Sequence, residues 1–323
     1  MMTTTPAWTE STQALAEAER ILLVTHLQPD GDAIGSLLGL ANALRARGKQ
    51  PDLAVDGGVP AFLHWLPGAG DVRAKLDSGS WEIMVSLDSS DEERSGECGV
   101  YGRAHSARVI NVDHHPSNTG FGDLHVVVPT AVSTTEIVYD WLPHLGVALN
   151  AEIAAPLLVG LVTDTIGFRT SNVTARTLTL AGDLMDAGVS LPDVVARTLN
   201  SKPYRAIALW QRVLASVQLA DGLISGVITR EDWETVGYDD TSDGGLIGYL
   251  IATDEARAAV VYKEREDGRI EISLRSKPGV DVSKVAVTLG GGGHTQASGA
   301  TIDGPLDAAQ ARVQPLLRTA LGL

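Results

Sequence analysis

The chain has 323 residues, about two domains by the usual size prior, and its 44% apolar and 20% charged residues exclude a largely disordered chain. Its net charge of −15 disfavours a protein that coats long nucleic acid, because that affinity comes mainly from Lys and Arg displacing counterions along the phosphates. A single cysteine, Cys98, excludes a disulfide framework or multi-Cys zinc site. No apolar run approaches the ~18 residues that cross a bilayer, and the opening MMTTTPAWTESTQ does not read as a signal peptide.

Ile21 to His26 is a short apolar run ending in polar residues and predicts a strand. Ser36 to Arg47 has helical spacing, with Gly48 as its stop and the helix entered near Asp32. Asp52 to Val55, Glu82 to Leu87, Ala107 to Val112 and Val126 to Val128 predict further strands. Ser133 to Leu145 and Ala151 to Val162 predict helices. Strands interleaved with helices imply an α/β domain with a mainly parallel sheet and helices on both faces, and such sheets bind ligands outside the carboxyl ends of their strands. From Asn172 to Val217 the pattern is helical. Strands then follow at Leu223 to Thr229, Ala258 to Arg265 and Arg269 to Arg275, the last two joined by a Glu266-Asp267-Gly268 hairpin signal. With helices at Gly245 to Ile251, Val282 to Leu289 and Leu306 to Leu323, they predict a smaller α/β domain. The expected organisation is a first domain over 1–190, a helical connector over 191–217 and a second domain over 218–323. A cytoplasmic enzyme is the simplest class that fits.

Four clusters carry the chemistry and are placed at strand ends, the last one after a helical apolar run. Thr25 to Ser36 supplies His26, Asp30 and Asp32; the plain alternative is a helix cap and turn, where Asp is common. Asp88 closes an apolar strand, Asp113-His114-His115 closes another, and Asp164 is the fourth. Singly, Asp88 and Asp164 also read as caps. Together the imidazoles and carboxylates form a thiolate-free set that suits Mn²⁺, Mg²⁺ or another hard-to-borderline divalent ion, with enough donors for two ions and one bridging carboxylate. Such a pair is a standard means of hydrolysing phosphate esters, and cations bound to acidic residues would attract an anionic substrate despite the overall charge.

His26-x₃-Asp30-x-Asp32, Asp88, Asp113-His114-His115 and Asp164 resemble the four-motif signature of the DHH phosphoesterase superfamily. Gly290-Gly291-Gly292-Gly293-His294 resembles the GGGH motif of the DHHA1 domain. The specific match is to the short two-domain bacterial type, bifunctional oligoribonucleases and pAp phosphatases, with some actinobacterial relatives associated with cyclic di-AMP or pApA. Ser298 is a departure, since relatives often carry Ala there. The resemblance implies that His26 and Asp30 hold one Mn²⁺, that Asp32, His114 and Asp164 hold the other, and that Asp88 bridges. It also implies that His115 touches the scissile phosphate, that Asp113 orients a neighbouring His, and that the protein is a homodimer.

The second domain is expected to hold a small nucleotide or short RNA. Gly291, Gly292 and Gly293 would let backbone N–H groups approach it, His294 would add a donor, and Arg275 would clamp a phosphate. The plain alternative for the glycines is a turn or helix stop. Ser133-Thr134-Thr135-Glu136 reads as a helix cap whose N–H groups could also face a phosphate, and the cap is favoured. The expected activity is Mn²⁺-dependent hydrolysis of short oligoribonucleotides, pApA and cyclic di-AMP to mononucleotides, and of pAp to AMP. The competing readings are a nucleotide-binding sensor that has lost catalysis and a DHH exonuclease or pyrophosphatase of other specificity.

Overall fold

The computed structural model describes residues 7–238 and 242–323, so residues 1–6 of the leader reading lie outside the described residues. The chain divides into two compact units, one ending at Ser201 and one spanning Lys202–Leu323.

The first unit contains α1 (Trp8–Glu17), β1 (Ile21–Thr25), α2 (Gly31–Ala46), β2 (Asp52–Ala54), β3 (Val72–Arg73), β4 (Trp81–Leu87), α3 (Gly96–Ala104), β5 (Ser106–Asp113), β6 (Leu124–Val127), α4 (Thr134–Trp141), α5 (Ala151–Asp164), α6 (Ala175–Asp186) and α7 (Leu191–Thr198). Its sheet is parallel throughout, in the order β3-β2-β1-β4-β5-β6. Every residue of β1 is buried, as is the second half of β5, which is why these strands read as continuous apolar runs without alternation. The chain runs outward from β1 through β2 to β3 and then returns to β4 on β1's other side. The strand order therefore reverses between β1 and β4, the place where open α/β sheets bind ligands.

Helices α2 and α5 pack closely because glycines line their contact. A Cβ on Gly35 would lie 2.5 Å from the Pro156 carbonyl oxygen, and one on Gly39 would lie 2.4 Å from Leu157. Pro156 sits inside α5, where it leaves the Glu152 carbonyl without its usual helical donor. Asn42 of α2 fills that role, its Nδ2 donating to Glu152 O at 2.8 Å.

The helix expected to be entered near Asp32 starts there, at Gly31, because Asp30 caps it, Oδ1 accepting from the N–H groups of Asp32 and Ala33 at 3.0 Å each. One expectation needs correction. Asp164 is at no strand end; it is the last residue of α5. Helix α1 was not foreseen. It is fastened by Trp8 packing edge-on against Trp141, centroids 6.0 Å apart, and by Trp141 Nε1 donating to Thr12 Oγ1 at 2.8 Å.

The second unit contains α8 (Tyr204–Leu214), β7 (Gln218–Ala220), β8 (Leu223–Ile228), α9 (Arg230–Val236), α10 (Leu246–Ile251), β9 (Ala258–Glu264), β10 (Arg269–Ser276), α11 (Ser283–Thr288), β11 (Gly292–His294), β12 (Ala297–Asp303) and α12 (Leu306–Ala320). Its sheet runs β11-β12-β10-β9-β8-β7 and is antiparallel except for the β8–β9 pair. Within the stretch read as helical from 172 to 217, α7 buries Val194 in the first unit's core, whereas α8 buries Leu209 and Val213 in a core of the second. No described helix is long and apolar enough to cross a membrane.

Candidate metal centre

Parallel register brings three strand ends level. Thr25 pairs with Leu87 and Leu87 with Val112, so the residues that follow, His26, Asp88 and Asp113, emerge side by side at the β1–β4 reversal. The N-cap of α2 adds Asp30 and its first turn adds Asp32, and the last residue of α5 adds Asp164.

Donor atoms converge in groups. His26, Asp30 and Asp88 form one, Asp32, His114 and Asp164 a second, and Asp88, Asp113 and His115 a third, each with its atoms within 4.8 Å of one another. Asp88 turns one oxygen to each of the first two: Oδ2 lies 3.5 Å from His26 Nε2 and Oδ1 3.7 Å from His114 Nε2. Both imidazoles are oriented by the backbone. A carbonyl can only accept, so His26 Nδ1–H donates to Leu27 O at 2.8 Å and His114 Nδ1–H to Ala131 O at 3.3 Å. That leaves each Nε2 pointing at carboxylates, the tautomer and outer support typical of a metal-binding His. The chemistry of the donor set thus fits divalent metal.

His115 is held differently. Its Nδ1 donates to Asp113 Oδ1 at 2.7 Å, and the same oxygen accepts the His114 backbone N–H at 2.9 Å. Asp113 Oδ2 accepts from Asn118 Nδ2 at 2.6 Å, and Asn118 also bonds Asn111 Oδ1 at 2.8 Å. Sequence reading missed Asn118; its place three residues after His115 was the available signal. It read Ser133 to Glu136 as a helix cap in preference to N–H groups facing a phosphate. The cap exists, Ser133 Oγ accepting from Glu136 N at 3.1 Å. The exposed N–H groups of α4, however, face a carboxylate of the chain itself: Thr134 N and Thr135 N donate to Asp32 Oδ2 and Oδ1 at 2.6 and 3.0 Å. A helix N-terminus is a natural seat for such an anion. Thr134 Oγ1 donates to Asp88 Oδ1 at 2.8 Å.

The electrostatics show the strain of assembling so many carboxylates. Burial, then the charges of Asp88 and Asp30, push Asp32 well above the usual carboxylate range against the pull of the α4 N–H groups. Burial, then Asp32, Asp30 and Asp88, do the same to Asp164. For Asp88 burial acts upward, but His26, His114 and His115 outweigh it and the carboxyl ends below its ordinary value. Burial opposes charge on His26, yet Asp88 and Asp30 prevail and push it up to about 9.

These shifts fix a sign for pH dependence. A His raised from 6.5 to about 9 gives stability that is complete below pH 6.5 and lost as pH rises through about 9. Carboxyls with raised folded values keep protons that the unfolded chain has shed, so they too lower stability as pH rises. Asp88, shifted down, acts only in acid. Metal-free protein is therefore expected to melt at a lower temperature at pH 8.5 than at pH 6.5, with MnCl₂ restoring the loss. A melting temperature that rises over that window would contradict this balance.

In the second unit Arg275, Ala297 and His294 stand in one row, since Ala297 pairs with Arg275 on one side and His294 on the other. Cross-strand partners share a face, so Arg275 and His294 flank the small Ala297, two strand spacings or about 10 Å apart. The adjacent row on that face is Gly292, Gly299 and Ser273. Burial lowers the Arg275 pKa, partly opposed by Asp243. The glycine run divides by cause. Gly290, at φ +84°, follows the end of α11, as the helix-stop reading expects. Gly291 and Gly293 lie against β12, where a Cβ would come within 2.0 Å of Gly299 O and 2.6 Å of Ala297 O. Gly292 faces open space, on the edge strand β11. Ser298 accommodates its extra hydroxyl by donating to Val282 O at 2.9 Å.

Comparison with known proteins agrees with this geometry. Residues 20–161 match the DHH family, N-terminal domain, and residues 233–319 match the DHHA1 domain. A Thermus thermophilus protein named bifunctional oligoribonuclease and PAP phosphatase NrnA is 38% identical over 98% of this chain and 96% of its own length. A Bacillus subtilis protein of the same name is 29% identical over 91% and 93%. The crystal structure of an exopolyphosphatase-related protein from Bacteroides fragilis shares the fold, with a TM-score of 0.88 at 24% identity, covering 100% of this chain and 98% of that one. The chain belongs to the DHH phosphoesterase family, with a DHH and a DHHA1 domain, and is a hydrolase of that family. Over nearly its whole length it is similar to proteins named bifunctional oligoribonuclease and PAP phosphatase NrnA.

Proposed function

We propose that the chain is a manganese-dependent phosphoesterase that hydrolyses short oligoribonucleotides and small nucleotides, pApA and cyclic di-AMP among them, to mononucleotides, and pAp to AMP. The observation that carries the reading is Asp88, buried between two donor groups with one oxygen toward each imidazole. His26 and Asp30 would hold one divalent ion and Asp32, His114 and Asp164 the other, with Asp88 shared. Bound there, the ions would polarise phosphoryl oxygens and acidify water near neutral pH.

The remaining roles fall to the chain's own groups. Burial opposes charge on His115, but its bond to Asp113 and the charges of Asp88 and Asp113 raise its pKa. A protonated His115, with Nδ1–H fixed on Asp113, presents its second proton at Nε2 to the charge that grows on the phosphoryl group or the departing oxygen. Asp113 and Asn118 set the plane of that ring. To the second unit we assign the nucleotide, gripped by Arg275 and His294 across the small-residue rows of Ala297, Gly299 and Gly292. Full retention of the donor set favours catalysis over a sensor that has lost it.

Incubation of purified protein and MnCl₂ with pAp, pApA, cyclic di-AMP and a short RNA tests the reading. AMP and phosphate are expected from pAp, and mononucleotides from pApA and RNA. Absence of product from all four overturns it.

A further inference from the structure

Glu136 is a buried carboxylate that the proposed chemistry does not use, and its hydrogen bonding is unusual for its position. An acidic residue at this place in a helix ordinarily reaches back to the N–H of the capping residue. Here that would be Ser133, but Glu136 Oε2 reaches one residue further and accepts from Val132 N at 2.8 Å. Val132 lies between two groups of contacts to the metal-centre residues. On one side the Ala131 carbonyl takes the His114 Nδ1 proton. On the other, Thr134 and Thr135 hold both oxygens of Asp32, and Thr134 Oγ1 holds Asp88. One five-residue segment thus orients three of the donor residues, and Glu136 ties down its middle.

A buried carboxylate is costly unless paired. Its counter-charge comes from another helix: Arg176 of α6 places Nε 3.2 Å from Glu136 Oε1 and also pairs with Asp140, a turn further along α4. Arg176 is half-exposed beside a cavity bordered by Val128, Thr130, Asn172 and Thr174, so shortening it widens existing space and does not open a hole in the core.

We infer that the Glu136–Arg176 pair is a positioning device for the metal centre, fixing segment 131–135 so that His114, Asp32 and Asp88 present their donor atoms together. The inference rests on the metal reading proposed above. Glu136→Ala releases the Val132 N–H and Arg176 at once, Glu136→Gln keeps an oxygen for Val132 but drops the charge, and Arg176→Ala leaves the hydrogen bond and removes the partner.

Calorimetric titration of MnCl₂ into each full-length variant, well below its melting temperature, gives the decisive readout. Loss of outer support for metal ligands typically costs 10–100-fold in affinity, so Glu136→Ala should weaken Mn²⁺ binding by about that factor. Glu136→Gln should retain most of the affinity, and Arg176→Ala should fall between. In turnover of pAp, kcat at fixed Mn²⁺ should drop while KM holds. Wild-type Mn²⁺ affinity in both Glu136→Ala and Arg176→Ala, even with lowered melting temperatures, would overturn the inference and leave Glu136 a helix cap. Should Glu136→Ala not fold, Arg176→Ala decides by the same measurement. If the unaltered protein binds no Mn²⁺, the metal reading itself fails, and this inference with it.

Discussion

Asp88→Asn should lower turnover of pAp and pApA by about 10³-fold or more, because disrupting a metal-supported reaction forfeits several kcal/mol of transition-state stabilisation and each 1.36 kcal/mol is tenfold. The substitution keeps the shape of the side chain. Its Oδ1 can still accept from Thr134 Oγ1, and its backbone stays at φ +58°, a left-handed conformation that Asn tolerates as well as Asp does. What it removes is one negative charge set between His26 and His114. The fold is therefore expected to persist, with Mn²⁺ uptake reduced. Circular dichroism and calorimetry separate the two effects. Near-normal turnover with a full complement of bound Mn²⁺ would dismiss the shared-ligand role of Asp88.

Gly35→Ala should lower the melting temperature by roughly 5–10 °C, and it does so against local helix preference. Ala in a helix interior is favoured over Gly by about 1 kcal/mol. Here the added Cβ would sit 2.5 Å from the Pro156 backbone oxygen, 3.0 Å from Gly160 N and 3.1 Å from Thr135 Cγ2. Backbone cannot swing aside as a side chain can, so α2 and α5 must separate, and overpacking of this kind costs about 1–3 kcal/mol, sometimes more. Separation also pulls Asp32, on α2, from Asp164, on α5, so Mn²⁺ affinity should fall with stability. Gly182→Ala is the matched control. Gly182 lies in α6, where a Cβ would meet no atom within 4 Å, and the substitution should raise stability by up to about 1 kcal/mol. If both variants shifted the melting temperature upward, the close packing of α2 on α5 would not be what seats the two carboxylates.

Much of the first unit was legible because parallel strands buried on both faces leave continuous apolar runs, and three of them, β1, β4 and β5, end where His26, Asp88 and Asp113-His114-His115 begin. The donor residues themselves were legible as chemistry-bearing types, although Asp164 ends a helix and not a strand. The GGGH segment was legible as a motif, but its division of labour was not: Gly290 follows a helix end, Gly291 and Gly293 are required by the approach of β12, and Gly292 leaves room on the sheet edge. Strands β11 and β12 were missed because Gly, Ala and Ser carry little strand signal. Pairing decides their conformation, β12 on β10 and β11 on β12.

By itself the sequence determined an α/β protein in two parts, the identity of the imidazoles and carboxylates that converge in the first unit, and the family to which they point. Burial pattern and residue type are local properties, written in the order of the chain. Tertiary structure alone decided that Thr134 and Thr135 cradle Asp32, that Asn118 steadies Asp113, that Pro156 in α5 is compensated by Asn42 in α2, and that Glu136 meets Arg176. Several of these partners lie far apart along the chain, and each contact is directional. A helix end, a proline or a lone Asn shows which polar group needs a partner, but only the packing of one element on another supplies it.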